Sequence, residues 1–214
     1  MMHASVRASE TNADTAALRG PRLWRWRVVD IIVASVIAVA CAGVFLLWDI
    51  VSTGPSALLT PVLPGLQELL AGPWLLAGVL GGLIIRKPGA ALYTELVAAV
   101  IESLVGNQWG PLTIVSGLVQ GIGAELVFLV FLYAAWRLPV ALLAGAASGF
   151  ACGLNDLILW YPGSGALFVT IALISATVSG AVIAGLGGWA IMQGLAATGA
   201  LNRFAAGRTA AARV

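Results

Sequence analysis

Charge is what this chain has least of. Only 9% of its 214 residues are Asp, Glu, Lys or Arg, against about 25% in an ordinary soluble domain. There is one histidine, His3, and there are two cysteines, Cys41 and Cys152, each set among small apolar residues with no Cys-x-x-Cys pair. That scarcity leaves neither a metal-ligand spacing nor a disulfide framework, and both cysteines read as small buried hydrophobes. No metal and no cofactor is expected. No Walker motif and no nucleophile–base constellation is legible, so the chain is expected to be neither an enzyme nor an ATPase. Arg22, Trp24, Arg25, Trp26 and Arg27 form a basic-aromatic collar. A long apolar run follows it at once, which marks a membrane anchor and argues against a nucleic-acid contact.

Apolar length is what the chain has in excess: 60% of residues are hydrophobic and mean hydropathy is +1.00. Runs of about 18 or more apolar residues, each enough for a spanning helix, recur to the end. They are continuous, unlike the alternating segments of about ten residues that build a membrane β-barrel. The expected fold class is therefore all-α: a polytopic bundle of six transmembrane helices in a bacterial-type plasma membrane. The spans fall at Val28–Val51, 65–85, Ala90–Val105, 112–136, 140–160 and Ala166–Ala197, the last long enough for a kink. Gly54, Pro55, Pro61 and Pro64 mark the connection after the first span as a loop. Around the membrane domain, 23–200, lie a loose polar tail at 1–22 and a basic tail at 201–214, both expected in the cytoplasm.

With the N-terminus inside, every one of the 11 cations falls on the cytoplasmic side: Arg7, Arg19, Arg22, Arg25 and Arg27, then Arg86 and Lys87, then Arg137, then Arg203, Arg208 and Arg213. This is the charge bias that orients membrane proteins. The outer ends collect the opposite chemistry. Asp49, Glu68, Glu102 and Asp156 share that depth with Asn107, Gln108, Asn155, Trp109, Trp160 and Tyr161. Acids at membrane depth are costly and mark function by default. Acids, amides and aromatic faces without a cation suit a ligand that is positively charged or rich in N–H donors. An interfacial aromatic belt is the alternative reading for Asp49, Trp109 and Trp160.

A deeper set comprises Glu95, Gln120 and Glu125. Glu95 and Glu102 share one helix face, being seven residues apart. Glu95 and Glu125 are expected at similar depth on neighbouring antiparallel helices, as a shared-proton pair or as hydrogen-bond acceptors. The proton pair would suit a stand-alone, proton-coupled transporter of a small cationic metabolite. On the first span, Ala34, Ala38 and Ala42 form a stripe that permits close helix approach, either inside the bundle or as a docking face for a partner membrane protein.

Several of these features together resemble a known family. The Ala stripe, the proline-bearing outer loop and six spans with cytoplasmic termini resemble the substrate-binding S component of energy-coupling factor (ECF) vitamin transporters, a class of ABC transporter. Ile85-Arg-Lys-Pro-Gly-Ala-Ala-Leu92, Glu95, Glu102, Gly106-Asn107, Gly110-Pro111 and the stretch from Gly117 through Gln120 to Glu125 are similar to the YkoE-type branch, associated with thiamine or its hydroxymethylpyrimidine precursor. The resemblance implies a partner transmembrane (T) subunit and two ATPase subunits in the cytoplasm. It also implies capture of the vitamin from outside. It carries Glu68, Glu102, Asn107, Gln120, Glu125 and Asp156 over as ligand-site residues, with Trp48, Trp74, Trp109, Trp160 and Tyr161 as ring contacts.

Overall fold

The computed structural model describes residues 25–207; the expected tail at 1–22, with His3, and the last residues of the basic tail, with Arg208 and Arg213, lie outside the described residues. Among the described residues every regular element is helical. They are α1 (Val28–Val51), α2 (Thr53–Val62), two 3-10 segments (Leu66–Leu70 and Gly72–Leu75), α3 (Leu76–Ile85), α4 (Ala90–Val105), α5 (Leu112–Val130), α6 (Leu138–Leu159) and α7 (Ala166–Ser179). A π-helical stretch (Gly180–Gly187) then leads into α8 (Gly188–Ala197). Four helices are long and apolar enough to cross a membrane: α1, α5, α6 and the continuous rod Ala166–Ala197; Gly72–Ile85 is a shorter apolar helix. The last rod runs unbroken from Ala166 to Ala197, with the π-helical stretch in its middle.

α1 starts on a charged clasp. Asp30 is buried; it accepts the Arg27 backbone N–H at 2.7 Å and pairs with the side chains of Arg27 and Lys87. Trp26 adds a hydrogen bond from its indole N–H to the Pro88 carbonyl at 2.9 Å. These contacts tie the start of α1 to the α3–α4 turn, so α1 and α4 run side by side in the same direction. α5 and α6 then alternate. As a result the described cations, Arg25, Arg27, Arg86, Lys87, Arg137 and Arg203, gather at one end of the bundle, opposite the ends of α1, α4 and α6.

Three local expectations are corrected. The proline-rich connection is not a loop: Thr53–Val62 is helical, with Pro55 in its first turn, where the missing N–H costs nothing. It ends at Leu63, held extended ahead of Pro64. The fourth span stops at Val130, not at residue 136, because Leu132 and Tyr133 take positive φ (51° and 53°) and turn the chain back. The span at 65–85 is broken rather than one continuous α-helix. Its first half is 3-10 helix, and Pro73 lacks the N–H that an α-helix through this point would need.

The break is held from across the bundle. Ser179 Oγ accepts the Gly72 N–H at 2.9 Å and donates to the Leu69 carbonyl at 2.5 Å. A Cβ on Gly72 would lie 2.5 Å from Ile183 Cβ, so only glycine fits against the π-helical stretch. Ser179→Ala orphans a buried donor and acceptor together, each costing about 1–3 kcal/mol. The expected outcome is a clear drop in melting temperature in detergent, measured by a thermal-shift assay.

The Ala stripe is an internal seam. Ala34, Ala38 and Ala42 are buried inside the chain, on the side of α1 that packs against α3 and α4, and Ser35 and Tyr93 hydroxyls meet there at 2.8 Å. The docking reading of these three residues is therefore corrected. Small side chains are needed there for α4 to approach, and the face of α1 that remains open carries Ile32, Val36, Val39 and Leu47.

Candidate functional site

A cavity of about 510 Å³ opens at the bundle end opposite the cations. Its mouth is framed by Ser52, Thr53, Ser56 and Thr60 along α2, by Gln108 and Trp109 after α4, and by Trp160 and Tyr161 after α6. The broken span contributes one wall: Gln67, Glu68, Ala71 and Trp74. Glu102 and Asp156 come from α4 and α6, and the floor is Phe45, Glu95, Gln120 and Cys152. No described Lys or Arg is among the lining residues.

Several of these side chains are placed by nameable contacts. The Trp74 indole N–H donates to Asp49 Oδ1 at 2.9 Å, and the Trp48 indole N–H donates to the Leu70 carbonyl at 2.9 Å. Trp74 and Trp109 meet edge to face, centroids 5.3 Å apart at 89°, a favoured aromatic geometry. Asn107 Oδ1 accepts the backbone N–H groups of Trp109 and Gly110 at 3.0 and 2.7 Å, which shapes the turn that presents Trp109. On the far wall Gln120 Nε2 donates to Cys152 Sγ (3.3 Å), and Cys152 Sγ to Asp156 Oδ2 (3.4 Å).

The carboxylates are arranged in neighbouring pairs. Asp49 lies beside Glu102, and Glu68 beside Asp156. Among the described residues no N–H or O–H group donates to three buried carboxylate oxygens, Asp49 Oδ2, Glu95 Oε1 and Glu102 Oε1; Asp49 and Glu102 are close enough to share a proton with each other. Buried acceptors of this kind are costly unless something completes them. Of these, Glu95 and Glu102 line the cavity, which therefore offers open acceptors with aromatic faces beside them, the complement of a flat ligand bearing N–H donors or a positive charge.

Comparison with known proteins bears on the same region. Residues 29–151 match the family described as "ABC-type cobalt transport system, permease component". A protein of Bacillus subtilis (strain 168) named as an HMP/thiamine permease, YkoE, is 40% identical over 184 residues, covering 86% of this chain and 91% of its own length. A crystal structure of an S-component of an ECF transporter superposes with a TM-score of 0.80 at 39% identity, covering 88% of this chain and 95% of that one. This chain belongs to the ECF S components. It is a multi-pass membrane protein and a substrate-binding subunit of a transporter, not an enzyme. Membership of the ECF S components implies a T subunit and ATPases as partners.

In this S component the cavity brings together eight of the residues expected from sequence: Glu68, Glu102, Gln120, Asp156, Trp74, Trp109, Trp160 and Tyr161. Trp48 and Asn107 stand one layer behind, bracing the Trp74 wall and the Trp109 turn. Glu125 is elsewhere. Its carboxylate accepts the backbone N–H groups of Gly89 (2.6 Å), Ala91 (2.9 Å) and Leu92 (3.3 Å) and the Tyr133 hydroxyl (2.6 Å). It caps the start of α4 and completes donors that the helix itself leaves free. The expected Glu95/Glu125 pair is thus not made, because each carboxyl serves a different helix start. Glu125→Gln is expected to lower the melting temperature while the folded fraction keeps its ligand affinity. Thermal shift and titration on one preparation check both halves.

Two features of the site escaped the sequence reading. Glu95 is on the cavity floor, and α2 with the Ser52 that precedes it supplies a row of hydroxyls. Ser52, Ser56 and Thr60 repeat every four residues, a helical spacing that was masked by reading Pro55 and Pro61 as loop signals.

Proposed function

We propose that this S component captures thiamine or its hydroxymethylpyrimidine precursor from outside the cell and delivers it to a T subunit driven by two ATPases. The observation that carries the reading is the cavity itself: paired carboxylates and indole faces, with no Lys or Arg among the described lining residues. Thiamine has a permanent thiazolium charge and an aminopyrimidine, and both suit such walls. The name of the Bacillus subtilis relative supports the same ligand class. Glu68, Glu102, Gln120 and Asp156 supply the polar contacts, and Trp74, Trp109, Trp160 and Tyr161 the ring contacts. Trp48 and Asn107 act by bracing.

The reading places six spans across the bilayer, both termini in the cytoplasm, and the membrane domain at 23–200 between the tails 1–22 and 201–214. The segregation of cations from the cavity end supports that orientation. Titration of the purified chain in detergent with thiamine and with hydroxymethylpyrimidine tests the proposal. Saturable binding of either is expected, and a folded sample that binds neither refutes it. Gradient-driven uptake by liposomes holding this chain alone would instead establish the proton-coupled carrier.

A further inference from the structure

The floor of the cavity holds a carboxylate that is prepared on one side and open on the other. Glu95 is 1% exposed. Its Oε2 accepts the backbone N–H of Gly78. That N–H is available because the span at 65–85 is broken: α3 begins at Leu76, so Gly78 lies in its first turn, where backbone N–H groups have no intrahelical acceptor. Gly78 also gives the carboxylate room, since a Cβ there would lie 3.1 Å from Glu95 Oε2. The break thus creates a donor in mid-bundle that pins one oxygen of Glu95. The other oxygen, Oε1, is buried and has no hydrogen-bond partner among the described residues, and Glu95 lines the cavity.

We propose that Glu95 is a specificity-determining residue: Oε1 accepts a hydrogen bond from an amino group on a flat heteroaromatic ring, and the floor selects ligands that carry one. The inference rests on the vitamin-capture reading and deepens it. Phe45, itself buried, lines the same floor and offers the ring an apolar surface. Among the described residues no lining Lys or Arg competes for the carboxylate. Glu102 lies two helical turns further along the same face of α4, about 10 Å away at 1.5 Å per residue. An elongated ligand with an amino ring at one end and a cation at the other therefore meets Glu95 at the floor and Glu102 with Trp74 and Trp109 toward the mouth. A neutral aminopyrimidine meets the floor alone.

The test is titration of the purified full chain in detergent with three compounds: thiamine, hydroxymethylpyrimidine, and the hydroxymethylpyrimidine analogue whose amino group is replaced by hydrogen. The wild type is expected to bind the amino compound about ten- to a hundredfold more tightly than the analogue, the range for a lost hydrogen bond to a charged group. In Glu95→Gln that gap closes. The Gln carbonyl takes over the Gly78 N–H and turns its own amide donors toward the ligand's amino group. Equal wild-type affinity for the two pyrimidines overturns the proposal even if the variant fails to fold. So does an undiminished gap in a folded Glu95→Gln. Binding of thiamine with no discrimination between the pyrimidines sinks this inference alone, whereas failure to bind any of the three sinks the capture reading as well.

Discussion

Glu102→Gln is expected to weaken thiamine binding by at least about tenfold, the scale of a charge-assisted contact in a desolvated site, and to weaken hydroxymethylpyrimidine binding much less. Glu102 is 2% exposed, and no described N–H group donates to its Oε1. Asp49 is its carboxyl neighbour, and Trp74, which donates to Asp49, stands edge to face with Trp109. A positive charge in this corner gains from the carboxylates and from the indole faces together, and a neutral ring gains only from the latter. Gln keeps the shape and removes the charge. Titration of both ligands against the same variant separates the two contributions, and equal losses for the two would reject the charge argument.

Ala38→Leu should destabilise the bundle by about 1–3 kcal/mol, the cost of forcing extra methylenes into a packed interior. Ala38 is 0% exposed on the seam between α1 and α4, whereas Val39, the next residue, is 58% exposed. Val39→Leu is therefore the control, expected to leave the melting curve in place. If Ala38→Leu melted like the wild type yet failed to co-purify with a T subunit, the stripe would have to be an external docking face after all. The internal seam predicts that any loss of complex follows loss of fold.

The comparison of α1 with the broken span shows how far one-dimensional reasoning reaches. α1 was legible to the residue, because a long apolar run after a basic-aromatic collar has one low-energy answer in a bilayer. The span at 65–85 is as apolar, and hydropathy alone cannot distinguish a continuous helix from 3-10 turns followed by α3. What tips it is Pro73 together with a hydroxyl supplied by Ser179, more than 100 positions away in the chain. Glu125 and Glu95 make the same point. Both are glutamates on apolar helices, and their sequence surroundings do not say that one caps a helix start while the other keeps an oxygen free for the cavity.

The sequence by itself determined the helical membrane-embedded class, the gathering of cations at one end and the acid-and-aromatic character of the other. These follow from composition and from the order of apolar runs, and the cost of moving charge into hydrocarbon enforces them locally. Tertiary structure alone decided which acids share the cavity, which one is spent on a helix start, and which way the Ala stripe faces. Those outcomes depend on the rotation and offset of each helix against its neighbours, and on donors that become free only where a distant segment breaks.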